Sequence, residues 1–259
     1  MFKFCNLYSG SSGNSSLIIT DKSKILVDCG VSAKKISTAL ENMGIDMQEI
    51  DGIIITHEHS DHIKGLSVIA KNYHTPIYAN EKTFDNMSID LSGSEKNIFK
   101  TNDTFNIKDL KISPFDIPHD AADPVGFNIF YKNKKLSIAT DIGHIENSLL
   151  DKLEGSDFLM LESNYETEML KSSKYPYSLK HRILGPTGHL SNDDAAITIS
   201  DLVKNGTQNI MLGHLSKENN FPELAYQTTI EGLMKENVDL NNIKLSVADR
   251  DKPNDIISI

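Results

Sequence analysis

The segment His57-Glu58-His59-Ser60-Asp61-His62 contains four candidate metal ligands, which are His57, His59, Asp61 and His62, directly after the apolar run DGIIIT. Side chains two apart on a strand share a face, so His57 and His59 can point to the same side. Asp61 and His62 then open the next helix and can turn back toward the same point. Imidazole and carboxylate ligands suit zinc, manganese or iron better than calcium or magnesium. The spacing therefore predicts two adjacent pairs of metal ligands on a strand-to-helix turn.

Strand and helix patterns alternate along the chain and would position these residues. The apolar, β-rich runs that predict strands are FKFCNLY, SSLIIT, KILVDCG, DGIIITHEH, TPIYAN, FNIFYKNKKLSIATD, DFLMLES, NIMLGHLS and KLSVAD. The helical patterns are VSAKKISTALENMG, DHIKGLSVIAKN, HIENSLLDKLEG, NDDAAITISDLVKNG and FPELAYQTTIEGLMKEN. Ser191 is predicted to cap the fourth of these helices, with Asp194 as its partner. No Pro- or Ser-rich linker divides the chain, so we predict a single domain over residues 1–259.

The two halves of the chain contain similar strand ends. KILVDCG and LSIATDIG are both strands that end in an aspartate and a glycine, and IIITHEH and IMLGHLS both end in histidine. The intervals differ, so this is a structural similarity rather than a sequence repeat. It favours two similar halves that pack their sheets together and gather their ligands at one shared edge.

The composition limits the kind of partner. The chain has 26 Lys and Arg against 36 Asp and Glu, a formal net charge of −10, whereas proteins that bind nucleic acid by bulk electrostatics are usually basic. Bound divalent cations would offset this deficit locally, so the charge favours a focused site. Two cysteines, Cys5 and Cys29, cannot form a disulfide framework. With no apolar run long enough for a membrane span and no secretory signal, we expect a cytoplasmic protein that does not engage membranes.

The H-x-H-x-D-H motif and its surroundings resemble the metallo-β-lactamase-fold hydrolases over nearly the whole chain. That resemblance implies an α/β fold, an αββα four-layer sandwich. The family has four further landmarks, and they are matched in the expected order by Asp28, His119, Asp141 and His214.

The resemblance also implies how two divalent ions, zinc or manganese, would be shared among seven ligands. One ion would be held by His57, His59 and His119. The other would be held by Asp61, His62 and His214. Asp141 would lie between the two ions, which are expected about 3.5–4 Å apart. Asp28 would either orient His59 or another nearby ligand from behind, or serve as a helix N-cap.

A second pair of residues resembles the tRNase Z-like nuclease branch of this family. There a strand-end glutamate pairs with a histidine of an H-x-[ST] motif, and Glu162 and His189 match these positions. A neighbouring carboxylate fixes the histidine ring and favours its protonated form, which can protonate a departing alkoxide. The expected catalytic residues are thus Asp61, His189 and Glu162, with a metal-bridging hydroxide as the nucleophile. The alternative for His189 is a helix-start histidine satisfied by local carboxylates.

Two further segments could contact a phosphate. Ser11, Ser12 and Asn14 lie in the glycine-containing turn SGSSGN, whose amides and hydroxyls could cradle a phosphate or merely form an ordinary turn. Residues 171–182, KSSKYPYSLKHR, combine Lys180, Arg182 and other cations with tyrosines. Such a segment can follow a phosphate backbone and stack on bases, or it can be a solvated basic loop.

Taken together, GSSGN, THEHSDH, PHDAADPVGF, TDIG, LESN, GHLSNDDAA and GHLSKENNFPELA resemble the YycJ/WalJ (VicX)-like subgroup of bacterial enzymes. The resemblance implies a 5′-to-3′ exonuclease that acts on double-stranded DNA, with DNA favoured over RNA. Two alternatives remain open at this point. One is a hydrolase of a small substrate, a cyclic phosphodiester or a lactone, at the same metal site. The other is a metal-holding regulatory module without turnover. The sequence leaves the oligomeric state undetermined.

Overall fold

Fourteen strands form two sheets of seven strands each. The computed structural model describes residues 1–259. In chain order, β1 to β14 are Phe2–Tyr8, Ser15–Thr20, Lys24–Val27, Gly52–Ile54, Ile77–Asn80, Lys96–Phe99, Phe105–Ile107, Leu110–Asp116, Val125–Tyr131, Lys134–Ala139, Phe158–Glu162, Asn209–Gly213, Lys244–Val247 and Ile257–Ser258.

Nine α-helices connect or flank the strands. In chain order, α1 to α9 are Ala33–Asn42, Ser60–Ile63, Leu66–Tyr73, Glu81–Asn86, Asn147–Leu153, Thr167–Ser172, Tyr177–Ile183, Asn192–Lys204 and Pro222–Lys235. Two 3₁₀ turns are found at Met47–Glu49 and Leu240–Asn242. No helix has both the length and the apolar character needed to cross a membrane.

The strand order brings several strand ends to one edge of the molecule. The first sheet runs β14-β1-β2-β3-β4-β5-β6 and the second runs β13-β12-β11-β10-β9-β8-β7. Strands β3 to β6 are parallel to one another, and so are β10 to β13. In sheets of this kind, ligands bind in the crevice beyond the carboxyl ends of the parallel strands.

Three hydrophobic cores separate four layers. Because side chains alternate across a strand, Phe4 points into the core between the sheets, while Cys5 points to the outer core of the first sheet. Helices α1 and α3 cover that outer core. Helices α5, α8 and α9 cover the outer face of the second sheet. The layers are therefore helix, sheet, sheet, helix, which confirms the predicted αββα sandwich.

The structure refines the predicted helices at several points. The pattern DHIKGLSVIAKN gives two helices, α2 and α3, that are interrupted at Gly65. A Cβ at Gly65 would lie 2.4 Å from the carbonyl oxygen of Val31, so the backbones pack too closely for any side chain there. Ser191 caps α8 as predicted, because its side chain accepts a hydrogen bond from the backbone N–H of Asp194.

Candidate metal centre

Three residues at the candidate site have a left-handed backbone at a strand end. Asp28 follows β3 with φ 61°, and Asp141 follows the end of β10 with the same φ. His214 follows β12 with φ 55°. This conformation is uncommon for residues other than glycine and costs about 1–3 kcal/mol each, and such strain clusters at functional sites. The sharp turn directs all three side chains into the edge between the sheets.

The three histidines of the first predicted triad lie together. One ring nitrogen from each of His57, His59 and His119 lies within 4.8 Å of the other two. The Nδ1 of His119 lies 3.1 Å from the carbonyl oxygen of Gly188, and the Nδ1 of His57 lies 3.0 Å from the hydroxyl of Thr56. These contacts on Nδ1 leave the Nε2 atoms of His57 and His119 directed at the shared point.

The second predicted triad is also assembled. Ligand atoms of Asp61, His62 and His214 lie within 4.8 Å of one another. The backbone of Asp61 is held by the first loop, since its carbonyl oxygen accepts a 2.8 Å hydrogen bond from Asn14 N–H. Gly30 makes this packing possible, because a Cβ there would lie 1.6 Å from the Asp61 carbonyl oxygen.

Asp141 lies between the two triads. Its Oδ2 is 3.3 Å from Nε2 of His62, and its Oδ1 is 3.8 Å from Nε2 of His119. It thus approaches one histidine of each triad, as a bridging ligand would. The identity of all seven residues as ligands stays a prediction.

The buried polar atoms at this point fit a divalent metal ion. Nε2 of His57, Nε2 of His214 and Oδ2 of Asp141 are buried without any hydrogen-bond partner. Such orphaned groups cost about 1–3 kcal/mol each unless a ligand satisfies them. Burial, with the nearby His62, holds the pKa of His57 well below its usual range, so its imidazole is neutral as metal binding requires.

The electrostatics of the second triad also favour a cation. Burial alone would lower the pKa of His214, but Asp141, Asp61 and Glu162 outweigh it and raise that pKa to about 10. The field of these carboxylates is therefore strongly negative at the point where the ring nitrogens converge. A field that holds a proton on a buried imidazole also attracts a divalent cation.

Asp28 contacts His62 rather than His59. Its Oδ2 lies 2.8 Å from Nδ1 of His62, and the side chain also accepts hydrogen bonds from the backbone N–H and hydroxyl of Thr56. The alternative that Asp28 caps a helix is wrong, because Ser32 is the N-cap of α1. Asp28 thus orients His62 from behind and leaves the Nε2 of that ring facing the centre.

Glu162 joins the predicted acid to the predicted metal ligands. Its Oε1 is 2.9 Å from Nδ1 of His189 and 2.7 Å from Nδ1 of His214. Its Oε2 accepts hydrogen bonds from the backbone N–H groups of Ile142 and Leu190. Burial alone would raise the pKa of Glu162, but His189 and His214 lower it to about 2. Both oxygens of Glu162 are engaged by hydrogen bonds, although ligand atoms of Asp141, Glu162, His189 and His214 also lie within 4.8 Å of one another. That Glu162 holds the two rings and binds no ion itself stays a prediction.

The predicted substrate residues divide into two groups. The cavity beside the triads, about 280 Å³, is lined by Ser11 and Arg182 among others. The other three do not line it. Asn14 is buried and accepts a hydrogen bond from Gly10 N–H, and the ammonium of Lys180 donates to the carbonyl oxygen of Lys171. Ser12 is exposed outside the cavity. The role of all five as substrate contacts stays a prediction.

Several residues at the site were not predicted from the sequence. The hydroxyl of Thr56 donates a hydrogen bond to Oδ2 of Asp28 and lies 3.0 Å from Nδ1 of His57. Asp120 accepts hydrogen bonds from the Nε–H and the Nη2–H groups of Arg182, the second at 2.9 Å. Asn164 lines the cavity and donates to the carbonyl oxygen of His214 at 2.7 Å. Thr56 and Asp120 are next to predicted metal ligands in the chain, and this adjacency is the only sequence signal that could have indicated these two residues.

Comparisons with known proteins agree with this site. The family model for the beta-lactamase superfamily domain matches residues 23–214, a span that contains all seven candidate ligands. The chain is 40% identical to exodeoxyribonuclease YycJ of Bacillus anthracis over 225 residues, 86% of this chain and 85% of that protein. It is 41% identical to exodeoxyribonuclease WalJ of Streptococcus pneumoniae over 237 residues, 90% of this chain and 88% of that protein.

A solved structure shows the same fold at lower identity. The metallo-β-lactamase-fold protein YhfI from Bacillus subtilis superimposes with a TM-score of 0.69 at 15% identity, covering 98% of this chain and 100% of that one. The chain therefore belongs to the metallo-β-lactamase superfamily and, within it, to the family of the YycJ and WalJ exodeoxyribonucleases. This confirms the family that the motifs predicted.

Proposed function

We propose that this protein is a metal-dependent exodeoxyribonuclease that removes nucleotides from the ends of double-stranded DNA in the 5′-to-3′ direction. The observation that carries the proposal is the assembly of both triads around Asp141, with the Glu162–His189 pair directly beside them. The relatives that match most of the chain are named as exodeoxyribonucleases, which supports DNA as the substrate. The polarity rests on the resemblance to that family.

One ion would be held by His57, His59 and His119. The other ion would be held by Asp61, His62 and His214. Asp141 would contact both ions. Bound there, two zinc or manganese ions would supply Lewis acidity and a hydroxide nucleophile at neutral pH. The protein's own contribution is to fix the donors in advance, because preorganised groups need no rearrangement during the reaction.

His189 would protonate the leaving oxygen. Its Nδ1 is engaged by Glu162 at 2.9 Å, so its Nε2 is the atom that can reach a substrate. A deoxyribose alkoxide is a poor leaving group, and a proton delivered in the transition state removes that difficulty. Glu162 would keep the ring in one orientation.

Ser11 and Arg182 would contact the substrate's phosphates at the cavity mouth. Arg182 is half exposed, and Asp120 holds its guanidinium in a bidentate pair that fixes its direction. Ser12 and Asn14 would act from the loop between β1 and β2, and Lys180 would act from α7. Together they would make a local phosphate-binding site in a chain whose net charge is −10, which agrees with a focused site in a cytoplasmic, single-domain enzyme.

Digestion of end-labelled polymers tests this function. We expect double-stranded DNA labelled at the 5′ end to release label first, in the presence of Mn²⁺ or Zn²⁺, with slower loss from 3′-labelled DNA. Single-stranded DNA and RNA of the same sequence serve as matched substrates, and EDTA serves as the metal-free control. Failure to degrade any polymer, together with turnover of a cyclic nucleotide or a lactone, would contradict the proposal and favour a small-molecule hydrolase.

A further inference from the structure

The segment between β11 and α8 forms a small unit of its own. Tyr165, Leu170 and Ile183 make a buried cluster separate from the three main cores, and Tyr175 and Leu179 pack against it. Helices α6 and α7 lie in this segment, which also contains His189. The unit is thus anchored by its own apolar contacts rather than by those of the sheets.

One face of this unit closes the cavity beside the metal site. Leu179, Arg182 and Ile183 are spaced i, i+3 and i+4 on α7, so they lie on one face of that helix, and all three line the cavity with Tyr175. The other lining residues include histidines and carboxylates of the candidate centre. The cavity therefore combines polar candidate metal ligands with aromatic and aliphatic side chains and with the cation of Arg182.

The size of the cavity limits what it can accept. Its volume is about 280 Å³. Pockets for drug-sized ligands span about 300–1,000 Å³, so a cavity of this size has room for one nucleotide. A nucleotide also has the matching polarity, with a phosphate at one end and an apolar π-face at the other.

We propose that Tyr175, with Leu179 and Ile183, forms a nucleobase subsite that binds the base of the terminal nucleotide by stacking. This inference rests on the proposed function and deepens it, because the phosphate next to that base would then lie between Arg182 and the metal site. Stacking on an aromatic ring accepts every base, since each has a π-face. The subsite would therefore bind a terminal nucleotide of any sequence, and the enzyme would release mononucleotides.

Substitutions at Tyr175 test the subsite. Tyr175→Leu keeps an apolar side chain in the small cluster but removes the ring, whereas Tyr175→Phe keeps the ring. Tyr177→Ala is the matched control, because Tyr177 belongs to the same segment but is 82% exposed and outside the cavity lining. Circular dichroism and Tm would verify that all variants fold.

The kinetic readout is a ratio of two substrates. We would compare kcat/KM for cleavage of the first phosphodiester in double-stranded DNA that ends in thymidine 5′-monophosphate with kcat/KM for the same DNA whose 5′-terminal nucleotide is abasic. Loss of stacking on one base corresponds to about a 5- to 150-fold effect. We expect Tyr175→Leu to lower the ratio by about tenfold, within that range, while Tyr175→Phe and Tyr177→Ala keep the wild-type ratio. An unchanged ratio in Tyr175→Leu would overturn the subsite.

A binding measurement separates this inference from the proposed function. The fluorescence of 2-aminopurine deoxyriboside 5′-monophosphate falls when its base stacks, and no turnover is needed. We expect quenching by the wild type and Tyr175→Phe, and none by Tyr175→Leu. If the wild type degrades no DNA but quenches in this pattern, the exonuclease proposal fails and the subsite stands. If it degrades DNA but all variants quench equally, the subsite fails alone.

Discussion

Replacing His189 by alanine is expected to lower kcat for DNA by about 100- to 10,000-fold, the usual contribution of a general acid. The Nδ1 of His189 is held by Glu162 at 2.9 Å, and the residue lines the cavity beside both triads. A deoxyribose leaving group needs the proton that this ring can deliver. The effect should therefore appear in kcat, measured on end-labelled double-stranded DNA.

The leaving group distinguishes an acid from a merely structural residue. A p-nitrophenolate ion departs without protonation at neutral pH, so His189→Ala should turn over bis-p-nitrophenyl phosphate with a far smaller loss than it shows on DNA. His181→Ala is the matched control, because His181 is an exposed histidine of α7 that does not line the cavity. Equal losses on both substrates would show that His189 supports the metal site instead of donating a proton.

Replacing Asp141 by asparagine is expected to lower the activity on DNA and on bis-p-nitrophenyl phosphate by at least about 100-fold. Loss of a residue that only orients metal ligands lowers activity by about 10- to 100-fold, and loss of a shared ligand should cost more. Asp141 is buried between the triads, with His62 at 3.3 Å and His214 at 3.5 Å from its oxygens. Its loss removes a negative charge that both triads share. Metal content per chain, measured by elemental analysis, should fall together with the activity.

The control for this substitution removes a charge elsewhere. Asp151→Asn changes an exposed carboxylate on α5 and should retain both activity and metal. If Asp141→Asn kept full activity, the bridging role would be wrong. If wild-type protein bound metal but turned over no substrate, a regulatory module without turnover would be the better account.

The features predicted well from the sequence are those that depend on neighbouring residues. The H-x-H-x-D-H motif follows β4, and all nine apolar runs contain strands of the two sheets. Strands β6, β7, β8 and β14 were missed. β6, β7 and β14 have only 4, 3 and 2 residues, and in β8 a proline at position 114 obscures the alternation. Helices α6 and α7 have 6 and 7 residues, less than two turns each, so the segment 171–182 reads as a basic loop.

The contacts that could not be predicted join residues far apart in the chain. Asp28 and His62 are 34 positions apart and meet because β3 lies beside β4. Asp120, in the loop between β8 and β9, and Arg182, on α7, are 62 positions apart. No local pattern encodes such pairs, because they depend on strand order and on how α7 packs. The sequence indicated that tyrosines of residues 171–182 can stack on bases, but only the structure shows that Tyr175, and not Tyr177, lines the cavity.

The most direct test of a two-metal centre is a crystal structure of the protein loaded with Mn²⁺ or Zn²⁺, with anomalous difference maps collected at the absorption edge of the metal. We expect two peaks about 3.5–4 Å apart, one among His57, His59 and His119 and the other among Asp61, His62 and His214. Asp141 should lie between the two peaks. A single peak, or peaks bound by Glu162 and His189 instead, would contradict the centre on which the proposed chemistry depends.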